Sequence, residues 1–185
     1  MQNGSMGCRV VVLVLVMLVV SALTPAANVC ADDKTWEIGV RGGWSWRDSD
    51  QSFSQIDLFA GYRLPWEWRW WDTVDLSTRW TMFGGVLMGG GEQGAVGGSG
   101  LEFVFGFGDT GLEMRLGSAL TLISDYTYGE EDLGGTIQFT SHIGLDYWFL
   151  ENWSATARVQ HMSNASIYSD NPGVDIVMLG LRYQF

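Results

Sequence analysis

The sequence predicts an all-β fold, an eight-stranded antiparallel transmembrane β-barrel of the bacterial outer membrane. Apolar and polar residues alternate through eight segments of about ten residues, which is typical of strands with one face towards lipid. The composition combines 25 Gly with 10 Trp, 9 Phe and 6 Tyr, and lacks long helix-forming runs. The chain also ends on Tyr183-Gln184-Phe185, which resembles the C-terminal signature of outer-membrane barrels.

The N-terminal segment has the features of a secretory signal peptide, which we predict to span residues 1–31. Arg9 precedes an apolar run, and small residues then lead to a cleavage site after Ala31 or, alternatively, after Ala27. Removal of this segment leaves a single barrel domain, residues 32–185, without either of the 2 cysteines. A disulfide framework, a cysteine nucleophile and a cysteine metal cluster are therefore not expected.

Eight outward-facing apolar rows define the predicted strands. In chain order they run over Trp36–Trp46, Ile56–Tyr62, Val74–Met82, Leu101–Phe107, Leu112–Leu122, Ile137–Phe149, Trp153–Val159 and Val177–Phe185. An even-stranded barrel places both termini in the periplasm, so the connections alternate between the two sides. The expected outer connections lie near residues 48–52, 89–94, 124–133 and 164–174.

The inward positions of these strands carry charges of both signs. They are Glu37, Arg41, Asp57, Asp75, Arg79, Glu102, Glu113, Arg115, Asp146, Arg158 and Arg182. The interior of an eight-stranded barrel is filled by side chains, and buried charges require partners. We therefore expect a paired, structural interior without a pore. His142 has the same inward parity.

Two segments of unusual composition are expected to lie outside the strands. Pro65–Trp71 is rich in tryptophan, and we interpret it as a periplasmic turn within an interfacial aromatic belt. Gly89–Gly91 and Gly97–Gly98 lack the strand–loop–helix setting of a phosphate-binding loop. We expect loop and strand-end glycines at these positions.

The charge and the outward rows limit the possible partners. The net charge of −11 does not favour nucleic-acid binding, which uses basic patches. The apolar outward rows favour contact with outer-membrane lipids. Their aromatic side chains are equally suited to a homodimer contact.

Three polar residues interrupt the outward apolar rows. His161 and Ser163 continue the row that begins at Trp153, and Asp175 precedes the row that begins at Val177. Both interruptions fall at the outer ends of two sequential strands. Adjacent strands lie about 4.8 Å apart, so the three side chains are within reach of one another.

These residue types fit nucleophilic catalysis. His161 is suited to take the proton of the Ser163 hydroxyl, and Asp175 is suited to fix the imidazole tautomer. Asn164 is a candidate donor to an oxyanion through its backbone or side-chain amide. The alternative is that polar residues only mark the end of the membrane, where a charge costs about 0–1 kcal/mol. Spacing alone leaves both interpretations open.

The motif His161-Met-Ser163-Asn164-Ala, followed by Asn-Pro-Gly and Asp175, resembles the C-terminal hairpin of the lipid A 3-O-deacylase (PagL) family. The resemblance implies that Ser163 is the nucleophile and His161 the base. It implies that Asp175 is the acid, in place of the family's usual Glu, and that Asn164 belongs to the oxyanion hole. The implied activity is hydrolysis of the ester-linked acyl chain at position 3 of lipid A, without metal or cofactor.

Two other functions remain open at this stage. One is a non-enzymatic structural or adhesive barrel that binds through outer loops such as the acidic segment 125–132. The other is a different lipid-modifying barrel, such as an acyltransferase. The mass of lipid A after incubation distinguishes all three functions.

Overall fold

A computed structural model describes residues 34–46, 51–70 and 73–185 of the chain. Eight strands close into an antiparallel barrel in the order β1-β10-β9-β8-β5-β4-β3-β2, which confirms the predicted fold class. The elements are β1 (Trp36–Ser45), β2 (Phe53–Trp70), β3 (Val74–Gly89), β4 (Glu92–Phe107), a 3-10 turn (Gly108–Thr110), β5 (Leu112–Ile123), β6 (Thr127–Tyr128), β7 (Glu131–Asp132), β8 (Ile137–Trp148), β9 (Trp153–Ser163) and β10 (Val174–Gln184). The predicted signal peptide, residues 1–31, lies outside the described residues.

The outward surface of the barrel is an apolar belt. Leu58, Leu145 and Leu179 are among its most exposed side chains. A closed sheet pairs its backbone groups between strands, which is the condition for crossing hydrocarbon without an open edge. Among the described residues, no helix is both long and apolar enough to cross a membrane.

Arg115 is the centre of a buried ionic cluster inside the barrel. Its guanidinium lies 3.2 Å from Glu37, 2.7 Å from Glu102, 2.8 Å from Glu113 and 2.7 Å from Asp146. These residues come from four different strands, β1, β4, β5 and β8. Because an unpaired buried charge is costly, the cluster stabilises only the register that brings all of these groups together.

Further ion pairs extend this cluster along the interior. Glu37 also contacts Arg182, and it lies 3.3 Å from Arg79. A separate pair joins Arg41 to Asp57 at 2.7 Å. The predicted paired interior is thus confirmed, with Glu113 only partly buried and with two exceptions, Asp75, described below, and the buried Arg158, which bonds to Gln160 and Met178 rather than to a carboxylate.

The outer end of the interior is apolar rather than charged. We call this cluster the apolar plug; its members are Phe53, Leu87, Val96, Ile123, Tyr128, Leu133, Met162, Val174, Ile176 and Met178. Strands β6 and β7 form a small hairpin inside the predicted outer connection 124–133. This hairpin inserts Tyr128 into the plug, where its ring packs edge-on against Phe53 at 5.5 Å between centroids. Burial raises the pKa of the Tyr128 hydroxyl to about 12.

The prediction of a turn over Pro65–Trp71 is wrong for residues 65–70. β2 continues to Trp70 and pairs with β3 up to Val74. A bulge between Leu64 and Glu67 accommodates the proline, which has no N–H to donate to the sheet. Residues 71–72 lie outside the described part of the chain.

The same extension explains why Asp75 is not inside the barrel. It lies at the end of β3 opposite Arg69, and the two side chains form an exposed pair at 2.5 Å. The side chain of Asp75 is 50% exposed and that of Arg69 is 61% exposed.

The prediction of loop and strand-end glycines is confirmed for Gly89–Gly91, but it is wrong for Gly97–Gly98, which lie inside β4. β4 begins at Glu92, and only Gly90 and Gly91 form the turn, with φ of 60° and 84°. Such left-handed pairs are typical of two-residue hairpin turns. Within β4, a Cβ on Gly100 would lie 2.0 Å from the Ser118 carbonyl oxygen, so close strand approach explains that glycine.

Loss of the central cation should destabilise the fold strongly. Arg115→Met leaves several buried carboxylates without their partner, so we expect the free energy of unfolding to fall by about 3–5 kcal/mol. Arg69→Met removes one partner of the exposed Asp75 pair and should cost about 0–1 kcal/mol. Urea unfolding of both variants in the same detergent measures the difference. Similar unfolding midpoints for the two variants would show that the cluster is not the main internal support.

Candidate active site

The alternation of β9 and β10 places His161, Ser163 and Asp175 on the outward surface, as predicted. The residues between them point inward: Met162 on β9 and Val174 on β10 are buried in the apolar plug. The outward polar groups are therefore anchored by their own strand neighbours. The pairing Asp175↔His161 places the candidate acid and the candidate base directly opposite each other on adjacent strands.

His161 and Asp175 form a direct hydrogen bond, with 2.8 Å between Nδ1 and Oδ1. A carboxylate only accepts hydrogen bonds, so Nδ1 carries the proton and Nε2 is left as the basic nitrogen. The Asp175 side chain is 17% exposed, whereas that of His161 is 52% exposed. The short Asp side chain reaches the imidazole because the two residues are paired in register.

Gly173 lies next to the imidazole of His161. Its φ is +75°, and a Cβ at this position would lie 2.8 Å from His161 Cε1. Both the backbone conformation and the close contact favour glycine. A side chain at position 173 would therefore collide with the His161 ring in the position where it bonds to Asp175.

Ser163 lies two residues after His161 on the same face of β9. Same-face neighbours along a strand are about 6.7 Å apart, which brings the hydroxyl beside the imidazole. Its cross-strand partner on β8 is Phe139. The candidate nucleophile Ser163 thus lies between polar His161 and the apolar belt.

Asn164 does not share this outward surface. It is fully buried, and its Nδ2 donates to the carbonyls of Leu133 at 2.9 Å and Asp170 at 2.6 Å. Its backbone N–H donates to Asn171 Oδ1 at 3.0 Å. Both side-chain N–H groups and the backbone N–H are engaged, so this geometry does not support the predicted role of Asn164 as oxyanion donor. Its contacts instead hold the β9–β10 loop.

The loop after the candidate nucleophile has an unusual backbone. Ala165 and Ser166 have φ of 53° and 65°, and within the described residues no other non-glycine residue has a positive φ. Asn164 Oδ1 accepts the N–H of Ser166 at 2.9 Å and fixes this turn. Rare backbone conformations of this kind concentrate at functional sites.

The sequence analysis missed the contacts that connect this loop to the β7–β8 connection. A Cβ on Gly134 would lie 2.1 Å from the Asp170 carbonyl oxygen, and one on Gly135 would lie 2.5 Å from the Tyr168 ring. These residues are about 30 positions apart, and nothing in either segment signals the contact. His142, in contrast, lies inside the barrel as expected, with Nε2 2.9 Å from Glu102.

Comparison with known proteins identifies the family. The sequence model of the family described as "Lipid A 3-O-deacylase (PagL)" matches residues 54–184. The chain belongs to this family. Its relatives include the lipid A deacylase PagL of Bordetella bronchiseptica, 38% identical over 72 residues, which cover 39% of this chain and 40% of that protein. The lipid A deacylase PagL of Pseudomonas aeruginosa is 29% identical over 122 residues, which cover 60% of this chain and 69% of that protein.

The fold is also shared with a solved structure. The crystal structure of the outer membrane enzyme PagL superposes with a TM-score of 0.68, covering 80% of this chain and 98% of that one. The sequence identity of that pair is 20%, so the likeness concerns the fold.

The contact of Gly173 with the imidazole can be tested directly. Gly173→Ala should displace the His161 ring and lower esterase activity at least about tenfold, because near-attack geometry tolerates little displacement. Gly91→Ala is the matched control, since Gly91 has φ +84° but open space around its Cβ position. Initial rates on a chromogenic ester compare the two. Equal losses of activity in the two variants would indicate that backbone strain alone causes the effect.

The loop-holding role of Asn164 gives a second test. Asn164→Asp keeps the acceptor for Ser166 but loses both donors and places a carboxylate near two carbonyl oxygens. We expect faster hydrogen exchange across residues 164–171 together with reduced activity, because the loop loses its anchor. Hydrogen-exchange mass spectrometry measures this. Reduced activity with unchanged exchange would instead favour direct participation of the Asn164 side chain.

Proposed function

We propose that this protein is a lipid A 3-O-deacylase, a serine esterase of the bacterial outer membrane. The observation that carries the proposal is the His161–Asp175 hydrogen bond on the outward face, beside Ser163, in a chain of this family. A base, a hydroxyl and a carboxylate on a surface that contacts lipid are suited to chemistry on a lipid ester.

The proposed reaction begins with proton transfer from Ser163 Oγ to His161 Nε2. Oγ attacks the acyl carbonyl carbon, and the ester bond to the sugar breaks as His161 returns the proton to the leaving sugar oxygen. Water then cleaves the acyl-enzyme, again with His161 as base, and releases the fatty acid. Asp175 stabilises the imidazolium at each step.

The tetrahedral intermediate needs a donor other than Asn164. Of the first three backbone N–H groups after the nucleophile, those of Asn164 and Ser166 are engaged within the loop. We assign the oxyanion contact to the N–H of Ala165. The left-handed turn, held by Asn164, orients this group before substrate arrives.

The proposed position of the site is the outer leaflet, where the acyl chains of the substrate lie, because the even strand number predicts that this end of the barrel faces outward. Outer-membrane lipids are the proposed neighbours of the outward apolar belt. The homodimer suggested by the aromatic rows stays a prediction, which light scattering of the detergent-solubilised protein measures.

The decisive experiment incubates purified protein with lipopolysaccharide and measures the mass of lipid A. We expect wild type to remove one ester-linked acyl chain and Ser163→Ala to leave the mass unchanged. Asp175→Asn should slow release by about 10²–10⁴-fold, because the imidazolium loses its counter-charge. Ser169→Ala, an exposed hydroxyl of the same loop, is the matched control and should retain full activity.

Each outcome identifies one function. Unchanged masses with wild type and with Ser163→Ala would contradict the deacylase and favour a structural barrel. A gain in mass with wild type would indicate acyl transfer instead.

A further inference from the structure

A row of polar side chains crosses the outward surface beside the candidate active site. The strand register pairs Asp175 with His161, His161 with Ser141, and Ser141 with Ser118. The row therefore spans β10, β9, β8 and β5. It ends on β4, where Leu101 is the partner of Ser118.

The two serines interrupt surfaces that are otherwise apolar. The outward neighbours of Ser141 on β8 are Phe139 and Ile143, and those of Ser118 on β5 are Leu116 and Leu120. Both serines are exposed, and their Oγ atoms lie 3.3 Å apart. On a lipid-facing surface, a hydroxyl without a partner is costly.

The two hydroxyls cannot satisfy all of their hydrogen-bond donors and acceptors with each other. Each hydroxyl has one O–H donor, and a single Oγ–Oγ contact uses only one of the two. The second O–H and the remaining acceptor sites could therefore bond to a ligand atom. The pair therefore offers both a donor and an acceptor immediately beside His161.

The chemistry of this subsite is neutral. Within the described residues, the Lys and Arg side chains lie either inside the barrel or at the end opposite the candidate site, such as Lys34, Arg63 and Arg69. A phosphate would favour a cationic fork, which the described part of this surface does not present. Two hydroxyls instead suit a carbonyl, amide or hydroxyl group.

We infer that Ser118 and Ser141 form a polar subsite for the neutral junction between the sugar and the acyl chains of the glycolipid. This inference rests on the proposed deacylase function. The subsite lies on the β8 side of His161, whereas the acid occupies the β10 side. The substrate thus lies across β8 and β5, with its scissile ester over Ser163. Both serines are positioning residues for this substrate.

The test compares hydroxyl-free and hydroxyl-bearing variants. Ser141→Val and Ser118→Val remove the hydroxyl, whereas Ser141→Thr and Ser118→Thr keep it on a β-branched side chain. Ser99→Val is the matched control, because Ser99 also faces outward but its Oγ donates to the Thr81 carbonyl at 3.1 Å. Kinetics are measured on lipopolysaccharide micelles and on p-nitrophenyl butyrate, which has no sugar.

We expect both Val variants to raise KM for lipopolysaccharide about three- to tenfold with little change in kcat, as for loss of one hydrogen bond. Both Thr variants should restore the wild-type KM, and Ser99→Val should retain it. Activity on p-nitrophenyl butyrate should not change. Wild-type KM in the Val variants, or equal losses on both substrates, would overturn the inference.

Failure of the deacylase proposal is distinguishable from failure of the subsite. If wild type leaves lipopolysaccharide intact, the deacylase proposal fails and binding alone decides the subsite. Binding of lipopolysaccharide is then compared between Ser163→Ala and the double variant that adds Ser141→Val. Weaker binding by the double variant supports the subsite, and equal binding overturns it.

Discussion

Strict alternation in a closed barrel is the constraint on which the rest of the structure depends. Each strand residue faces either the packed interior or the lipid. One strand therefore carries a row of side chains that pack inside the barrel and a row that can carry reactive groups on the outer surface. At the outer end of β9, Met162 is buried in the apolar plug while His161 and Ser163 face outward. Packing of the plug therefore fixes the strand backbone that presents the candidate catalytic groups.

The interior divides into two zones with different physical roles. The ionic cluster around Arg115 links four strands through directional, charge-dependent contacts, and a shifted register would break them. The apolar plug closes the outer end through packing, with Tyr128 inserted from a loop hairpin. The candidate site lies outside the plug rather than over the ionic cluster. Its backbone is thus held by well-packed apolar contacts.

The sequence predicted the barrel and the outward position of the reactive side chains because both follow from period-two alternation. It found the second part of β4, from Leu101 to Phe107, but missed the first part, where the glycines between Glu92 and Leu101 leave too few side chains to show the period. The sequence predicted Asn164 only as an oxyanion donor, whereas its side chain is buried just beyond the end of β9 and is bonded to loop carbonyls. The loop contacts of Gly134 and Gly173 depend on distant or three-dimensional neighbours, so local sequence carried no signal for them.

The strand register explains how an aspartate at position 175 reaches the imidazole of His161. A directly opposed pair brings the two side chains close, and the shorter carboxylate reaches Nδ1 at 2.8 Å. Gly173 avoids a clash with the ring, since a Cβ there would lie 2.8 Å from Cε1. The bond at Nδ1 leaves Nε2 as the other ring nitrogen. Side-chain length at position 175 then matters less than strand pairing, because the pairing determines where the carboxylate lies.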